Sequence, residues 1–554
     1  MTNTTDTDIA PDTGADDAPV LHLDDITEGS MKLVKVDGHR VCVVRTASGV
    51  HALDHACPHE GYGLTQGKLD GELLTCAWHN WKFRVSDGTC VLGEEAVQTH
   101  DVDVADDGGI RVTVRRPDPE ELRPRLLDSL RRGIDQHYVG QISRDVVRLL
   151  HAGATPAEIM TVGVERGVAR HDYGWGHDIA SATDCLAMVD LWSGDERALP
   201  LVQGLAGIAE ATRDRPERPL ADAGDATATE QQFRDAIERE DLDAAQAAIR
   251  AAIARGDRPV ELIAWLVGAT SDHHLSYGHG AIYTQKAFEL LELIGWEHAD
   301  GILGHLTTSI VLGTREDTLP YMRPFVRALD RVDLPGIAIE ARHVRNDWDG
   351  HDALVEVLLD GDRVAPVDAI ETAIRNGAGV HRVLDAIIDA VSERLLRYDV
   401  SGEFDFHDDF GWLDITHGLT YPHAARWALE SLGEPSPELI RLVFFTAFQA
   451  NWTGRHEWHT EVLERASVAP LADDIATYGN ELQRRAQLDG TTAFIVHAHA
   501  VKTARAATRE AVRRGTTLPL DATQHFLASP KLERFVAANV TRSIDFLNGR
   551  SRRD

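Results

Sequence analysis

Two cysteines and two histidines, set in two short loops, constrain this chain more than any other feature. Residues 57–79 read CPHEGYGLTQGKLDGELLTCAWH, with Cys57 and His59 together and, after sixteen residues, Cys76 and His79 together. The spacing is C-x-H-x16-C-x2-H. Two thiolates and two neutral imidazoles in paired loops suit a binuclear [2Fe–2S] centre, with Cys57 and Cys76 on one iron and His59 and His79 on the other. The alternative is a structural zinc site, since the same donors bind zinc tetrahedrally, but zinc frameworks usually open with C-x2-C spacing.

The stretch resembles a Rieske domain. The resemblance covers roughly residues 20–116 and includes Gly63, Leu64, Gly67, Trp78, Trp81 and Phe83. Ala77 stands where the family usually has proline and Asn80 where it usually has glycine; neither departure removes a ligand. Rieske proteins of respiratory complexes carry one further cysteine in each ligand loop, joined as a disulfide. Here Tyr62 and Trp78 occupy those positions, and Cys42, Cys90 and Cys185 lie outside both loops. The resemblance is therefore to the ferredoxin and oxygenase type, and it implies one-electron transfer at a potential of roughly −150 to +300 mV.

At 554 residues the chain is too long for one core, so the Rieske stretch accounts for only one of several units. A net charge of −33 disfavours a nucleic-acid partner, because phosphate binding needs a basic face. Five cysteines, two of them candidate ligands, leave no disulfide framework and fit a reducing compartment. Residues 1–20 lack the basic start and apolar core of a signal peptide and read as a disordered tail. No run of about eighteen apolar residues occurs, which excludes a spanning helix and predicts a cytoplasmic protein without a membrane partner.

The fold class predicted is multidomain: a small antiparallel all-β Rieske domain over 21–116, then a large all-α domain of helical-hairpin repeats over 126–554. Short β-like runs such as RVCVVRT and IRVTVRR, punctuated by Asp37-Gly38 and Asp87-Gly88, mark the first. The proline-rich segment 117–125 reads as a linker. Beyond it, stretches such as DAAQAAIRAAIA and VHRVLDAIIDAVSERLL carry apolar residues at three and four spacing, as amphipathic helices do. A looser stretch near 213–230 suggests two helical blocks. Gly153-Ala-Thr-Pro156 is matched by Gly256-Asp-Arg-Pro259, a glycine closing one helix and a proline opening the next.

Downstream lie three histidine motifs of one form: HDYGWGH (171–177), HHLSYGH (273–279) and HGLTYPH (417–423). Residues six apart on a helix point about 120° apart, so the two histidines of a motif cannot share one helical face. Gly176, Gly278 and Pro422 suggest that a helix starts at each, which would present His177, His279 and His423 from equivalent positions. His499, in HAHAVK, is a fourth candidate, with Lys502 one turn later as a ligand if carboxylated. Imidazoles converging between helices can hold a mononuclear non-haem iron. The alternative is that these histidines pack or cap helical repeats. His274 and His279 match the H-x4-H of conventional Rieske oxygenases, but the long β-run of their catalytic domain is absent, so the match reads as chance.

HHLSYGHG, THGLTYPHAARWALE and HAHAVKTARAA resemble the questin oxidase-like family, helical proteins whose fungal members open anthraquinone and related polyketide rings with oxygen. Joined to a Rieske domain, that resemblance implies an oxygenase in which a reductase or ferredoxin feeds electrons through a [2Fe–2S] cluster to a histidine-ligated iron, acting on an aromatic or polyketide-like small molecule. A Rieske electron-transfer protein with a metal-free helical docking scaffold is the second reading. No catalytic residue is assigned by the sequence.

Overall fold

The computed structural model describes residues 19–404, 411–457, 464–488 and 494–531, with short stretches between 540 and 548. Residues 1–18 of the expected tail lie outside the described residues, and Val20 is already tied to Ile110 by a backbone bond of 2.8 Å. The chain divides into two compact units, one comprising residues up to Gly133 and Tyr138–Gly153, the other Ile134–His137 and everything from Ala154 onward.

The first unit is built on ten antiparallel strands. β1 (Leu21–His22), β2 (Ser30–Val36), β3 (His39–Thr46), β4 (Gly49–Asp54), β9 (Thr99–Val104) and β10 (Gly109–Thr113) form one sheet in the order β1-β10-β9-β4-β3-β2. β5 (Lys68–Asp70), β6 (Leu73–Thr75), β7 (Lys82–Arg84) and β8 (Cys90–Leu92) form a smaller one in sequence order. β3 is apolar on both faces because both are covered. Val41 and Val43 join Val34, Ile110 and Val112 on one side, while Cys42 and Val44 join Leu53, Leu64, Leu74 and Phe83 on the other. The second of these cores also buries Cys57 and Cys76, so the loops that carry them are anchored from beneath.

The segment 117–125 differs from the linker expected of it. From Pro119 it is the start of helix α1 (Pro119–Asp135), which a turn joins to α2 (Val139–His151). Proline is tolerated in the first turn of a helix, so Pro119 opens this one. Gln141 Nε2 donates to Ser129 O at 2.8 Å across the hairpin, and Arg148 pairs with Glu95 of the β domain at 2.6 Å. The first unit thus carries most of a helical hairpin that the sequence divides between a linker and the helical domain.

The second unit is helical. Gly256, at φ 87°, closes the helix Leu242–Arg255 in the left-handed conformation that glycine adopts freely, and Pro259 opens the helix Pro259–Asp272. Residues between the helices Ala198–Ala211 and Glu230–Glu238 are irregular, where the sequence is loosest. The helices Gly411–Leu432 and Phe494–Arg514 are buried on nearly all sides, so polar residues there must find partners inside the protein. Among the described residues, no helix is long and apolar enough to cross a membrane.

Candidate metal centres

The loop between β4 and β5 and the loop between β6 and β7 carry the four ligand residues of the first centre. Cys57 N donates to Tyr62 O and Cys76 N to Trp81 O, each at 2.8 Å, which curls both loops around their cysteines. A Cβ on Gly67 would lie 2.1 Å from Thr75 O, so only glycine lets the two loops approach. Asn80 holds φ at 61°, a left-handed conformation that asparagine tolerates better than most residues, and so fills the place of the family's glycine.

The His59 and His79 rings meet edge to face with centroids 4.3 Å apart. His59 Nδ1 is buried with no hydrogen-bond partner among the described residues, whereas its Nε2 lies 3.0 Å from the Tyr138 hydroxyl. One nitrogen is therefore engaged and the other left for a metal. Burial pushes the Cys57 thiol up to about 12, so a thiolate there requires an adjoining cation. Buried paired sulfurs, an orphaned imidazole nitrogen and an adjacent second imidazole fit a [2Fe–2S] cluster.

The residues expected for the first centre thus come together. A family model for the Rieske [2Fe–2S] domain matches residues 16–104. The ferredoxin component of an alkene monooxygenase system from Xanthobacter autotrophicus is 37% identical over 84 residues, which cover 14% of this chain and 68% of that relative. The chain belongs to the Rieske [2Fe–2S] domain family. A ferredoxin component of naphthalene 1,2-dioxygenase/salicylate 5-hydroxylase systems from Ralstonia is 30% identical over 84 residues, 15% of this chain and 81% of its own. Human apoptosis-inducing factor 3 is 36% identical over 72 residues, but the match spans only 12% of that protein's length. Among solved structures, the ferredoxin of carbazole 1,9a-dioxygenase from Nocardioides aromaticivorans is 30% identical and matched over 99% of its chain and 18% of this one, with a TM-score of 0.17. The Rieske domain carries an iron–sulfur electron-transfer role, and its pattern implies the [2Fe–2S] cluster.

The second centre lies in the helical unit. His177 and His279 are the first residues of the helices His177–Ala187 and His279–Ile294, where the glycine before each predicted them. Ahead of His279, Ser276 (φ 47°), Tyr277 (φ 60°) and Gly278 (φ 91°) form three successive left-handed residues, two of them bearing a Cβ that makes the conformation costly. Tyr277 N donates to Glu316 Oε1 and Thr314 N to Ser276 Oγ, each at 2.9 Å, which holds the turn. It stacks Tyr277 on His417, with centroids 5.9 Å apart at 22°.

The third imidazole is His417, and His423 is not part of the group. The helix Gly411–Leu432 runs unbroken through Pro422, so the third motif sits mid-helix instead of at a helix start. Six positions apart on one helix, the two side chains point about 120° apart, and it is His417 that faces the other imidazoles. His423 Nδ1 lies instead 2.7 Å from Glu510, which also binds Arg426. His274 is directed into a box formed by Tyr421, Phe445 and Phe448.

His417 Nε2 lies 2.9 Å from His279 Nε2 and 3.3 Å from His499 Nε2. The His177 centroid is 4.6 Å from that of His279 and 4.7 Å from that of His499. One nitrogen of an imidazole offers a single in-plane site, a proton or a lone pair, so His417 Nε2 cannot make good hydrogen bonds to both neighbours. Two imidazoles about 2.1 Å from a shared ion would hold their nitrogens roughly 3.0–3.4 Å apart, close to the two spacings seen. The nitrogens of His499 and His177 are consistent with this, whereas His417 Nδ1 is buried with no hydrogen-bond partner among the described residues. His499 Nδ1 donates to Ile495 O at 2.7 Å, and His177 Nδ1 lies 3.2 Å from the Tyr283 hydroxyl while its buried Nε2 has no partner among the described residues. Burial, reinforced by Lys502 and the neighbouring imidazoles, holds all four well below the ordinary histidine range, His417 at about 3. They are therefore neutral, with lone pairs free for a metal.

Lys502 is 1% exposed, its Nζ has no hydrogen-bond partner among the described residues, and burial pushes it down to about 7. Lys286, equally buried, is by contrast satisfied by Asp184 at 2.7 Å and Glu289 at 3.3 Å. Sequence reasoning missed Tyr283, although it stands one turn beyond His279 and stacks on it at 4.9 Å.

Proposed function

We propose that the protein is an iron-dependent oxygenase that accepts electrons from an external reductase or ferredoxin at its Rieske domain. His177, His279, His417 and His499 would hold a mononuclear iron that draws on these electrons. The observation that carries this reading is the meeting of three Nε2 atoms at distances of 2.9 and 3.3 Å around His417, in a buried and neutral setting. Iron held there would supply oxygen activation, drawing electrons one at a time. Tyr283 orients His177 through Nδ1, and the Ile495 carbonyl orients His499 in the same way, which leaves each Nε2 lone pair for the ion. Lys502, unpartnered among the described residues, would be a further donor to such an iron, either as its neutral amine or as a carbamate formed when Nζ adds to CO2 and releases a proton. The substrate assigned is an aromatic or polyketide-like small molecule, by the resemblance of the histidine segments to questin oxidase-like proteins. Two of the relatives above are named as ferredoxin components of monooxygenase and dioxygenase systems, which agrees with oxygenase chemistry.

A single-turnover experiment tests this. Protein reduced chemically and mixed with oxygen and a polycyclic aromatic substrate should reoxidise its cluster faster than without substrate, and His417→Ala should remove that acceleration. Reoxidation indifferent to both substrate and His417 would overturn the proposal.

A further inference from the structure

The match to the Rieske family ends at residue 104, yet side chains beyond it reach the cluster ligands. Tyr138, at the turn between α1 and α2, stacks on His59 with centroids 5.3 Å apart at 28°, and Trp81 stacks on the same ring at 4.6 Å. The Tyr138 hydroxyl is 3.0 Å from His59 Nε2 and donates to Glu60 Oε1. Arg144 of α2 donates to the carbonyl oxygen of His59. The second carboxylate oxygen of Glu60 lies 3.6 Å from His79 Nε2, so one carboxylate faces both ligand histidines.

The orphaned nitrogen of His59 is Nδ1, which assigns that atom to iron and leaves the proton on Nε2. Nε2–H then donates to the Tyr138 oxygen, and the Tyr138 hydroxyl proton goes to Glu60. We propose that Tyr138 and Glu60 form a hydrogen-bonded counter-charge, supplied partly by the helical hairpin, that acts on the cluster through its histidines and holds its reduction potential low. An acceptor on the outer nitrogen of a ligand imidazole makes that imidazole a stronger donor to the metal. A negative charge beside the ligands favours the oxidised cluster, which carries one more positive charge than the reduced one. Tyr138 is thus a positioning residue and not a ligand.

The inference rests on His59 and His79 holding the cluster. Its test is a spectroelectrochemical titration of full-length protein, wild type against Tyr138→Phe and Glu60→Gln. At the wild-type midpoint the reduced-to-oxidised ratio should rise about three- to tenfold in Tyr138→Phe, the effect of losing one hydrogen bond. Tenfold corresponds to 59 mV for a one-electron couple. Glu60→Gln should shift the ratio in the same direction and further, because it also removes the charge facing His79. Glu60 sits at the surface, so its variant keeps the test alive if Tyr138→Phe loosens the hairpin. A normal visible spectrum with an unshifted or lowered midpoint in Glu60→Gln would overturn the inference alone. Wild-type protein without a cluster spectrum would overturn the ligand assignment and the inference with it.

Discussion

His417→Ala and His423→Ala should have opposite consequences, although the residues share one motif and one helix. His417 Nε2 sits 2.9 Å and 3.3 Å from two other imidazole nitrogens, so truncating it takes away the donor at the middle of the group. A site occupied at 100 to 1,000 times its dissociation constant stabilises the fold by about 2.7–4.1 kcal/mol, and His417→Ala should lose most of this. Without metal the variant should be nearly as stable as wild type, because the truncation also relieves crowding among buried nitrogens that lack partners among the described residues. His423 is bound to Glu510, itself 1% exposed, and Arg426 remains to hold that carboxylate. His423→Ala should therefore cost about 1–3 kcal/mol whether or not metal is present. The assay is total iron per chain together with chelator-dependent thermal unfolding on the same samples. Wild type and His423→Ala should hold about three irons and His417→Ala about two, the number in the cluster. Iron lost from His423→Ala and kept in His417→Ala would refute the geometry; an identical chelator response in all three would refute the metal.

Cys76→Ser should abolish the visible spectrum of the Rieske centre while leaving helical content unchanged, by absorption and circular dichroism. Tyr283→Phe removes the partner of His177 Nδ1 at 3.2 Å and should weaken iron binding in the helical unit about 10- to 100-fold, measured by competition with a chelator. The bond from His351 to Asp389, 3.0 Å long, raises the His351 pKa above its ordinary value against the smaller effect of burial. A raised folded-state pKa contributes stability that is fully present below about pH 6.5 and is lost as pH climbs through the folded value. The urea midpoint of wild type should therefore fall between pH 6 and 8 more than that of His351→Gln; parallel curves would show that the pair contributes nothing.

The parts of this protein that were legible in its sequence are those fixed by neighbours along the chain. The cluster ligands lie in two loops with characteristic spacing, and the starts of the helices at His177 and His279 follow from the glycine before each. The third imidazole is not legible in sequence, because Pro422 suggests a helix start whereas the helix Gly411–Leu432 is held by burial on nearly all sides and runs through its proline. Local propensity lost there to tertiary packing. The choice between His417 and His423 depended on the helix phase, which the motif does not state. The hairpin α1–α2 reads in sequence as a linker up to residue 125 and as part of the helical domain beyond it, since the contacts that tie it to the β domain, such as Tyr138 to His59, join residues 79 positions apart. Lys502 stands out by its rarity, and the structure gives that rarity a setting: a buried amine with no hydrogen-bond partner among the described residues, beside four neutral imidazoles.

Mössbauer spectroscopy of isotopically enriched, dithionite-reduced protein tests the central claim most directly, because it separates cluster iron from mononuclear iron in one sample. The account predicts a high-spin ferrous doublet holding about a third of the total iron beside the reduced [2Fe–2S] signals, and the loss of that doublet alone in His417→Ala. A spectrum in which all the iron belongs to the cluster, in protein saturated with ferrous iron before measurement, would contradict it.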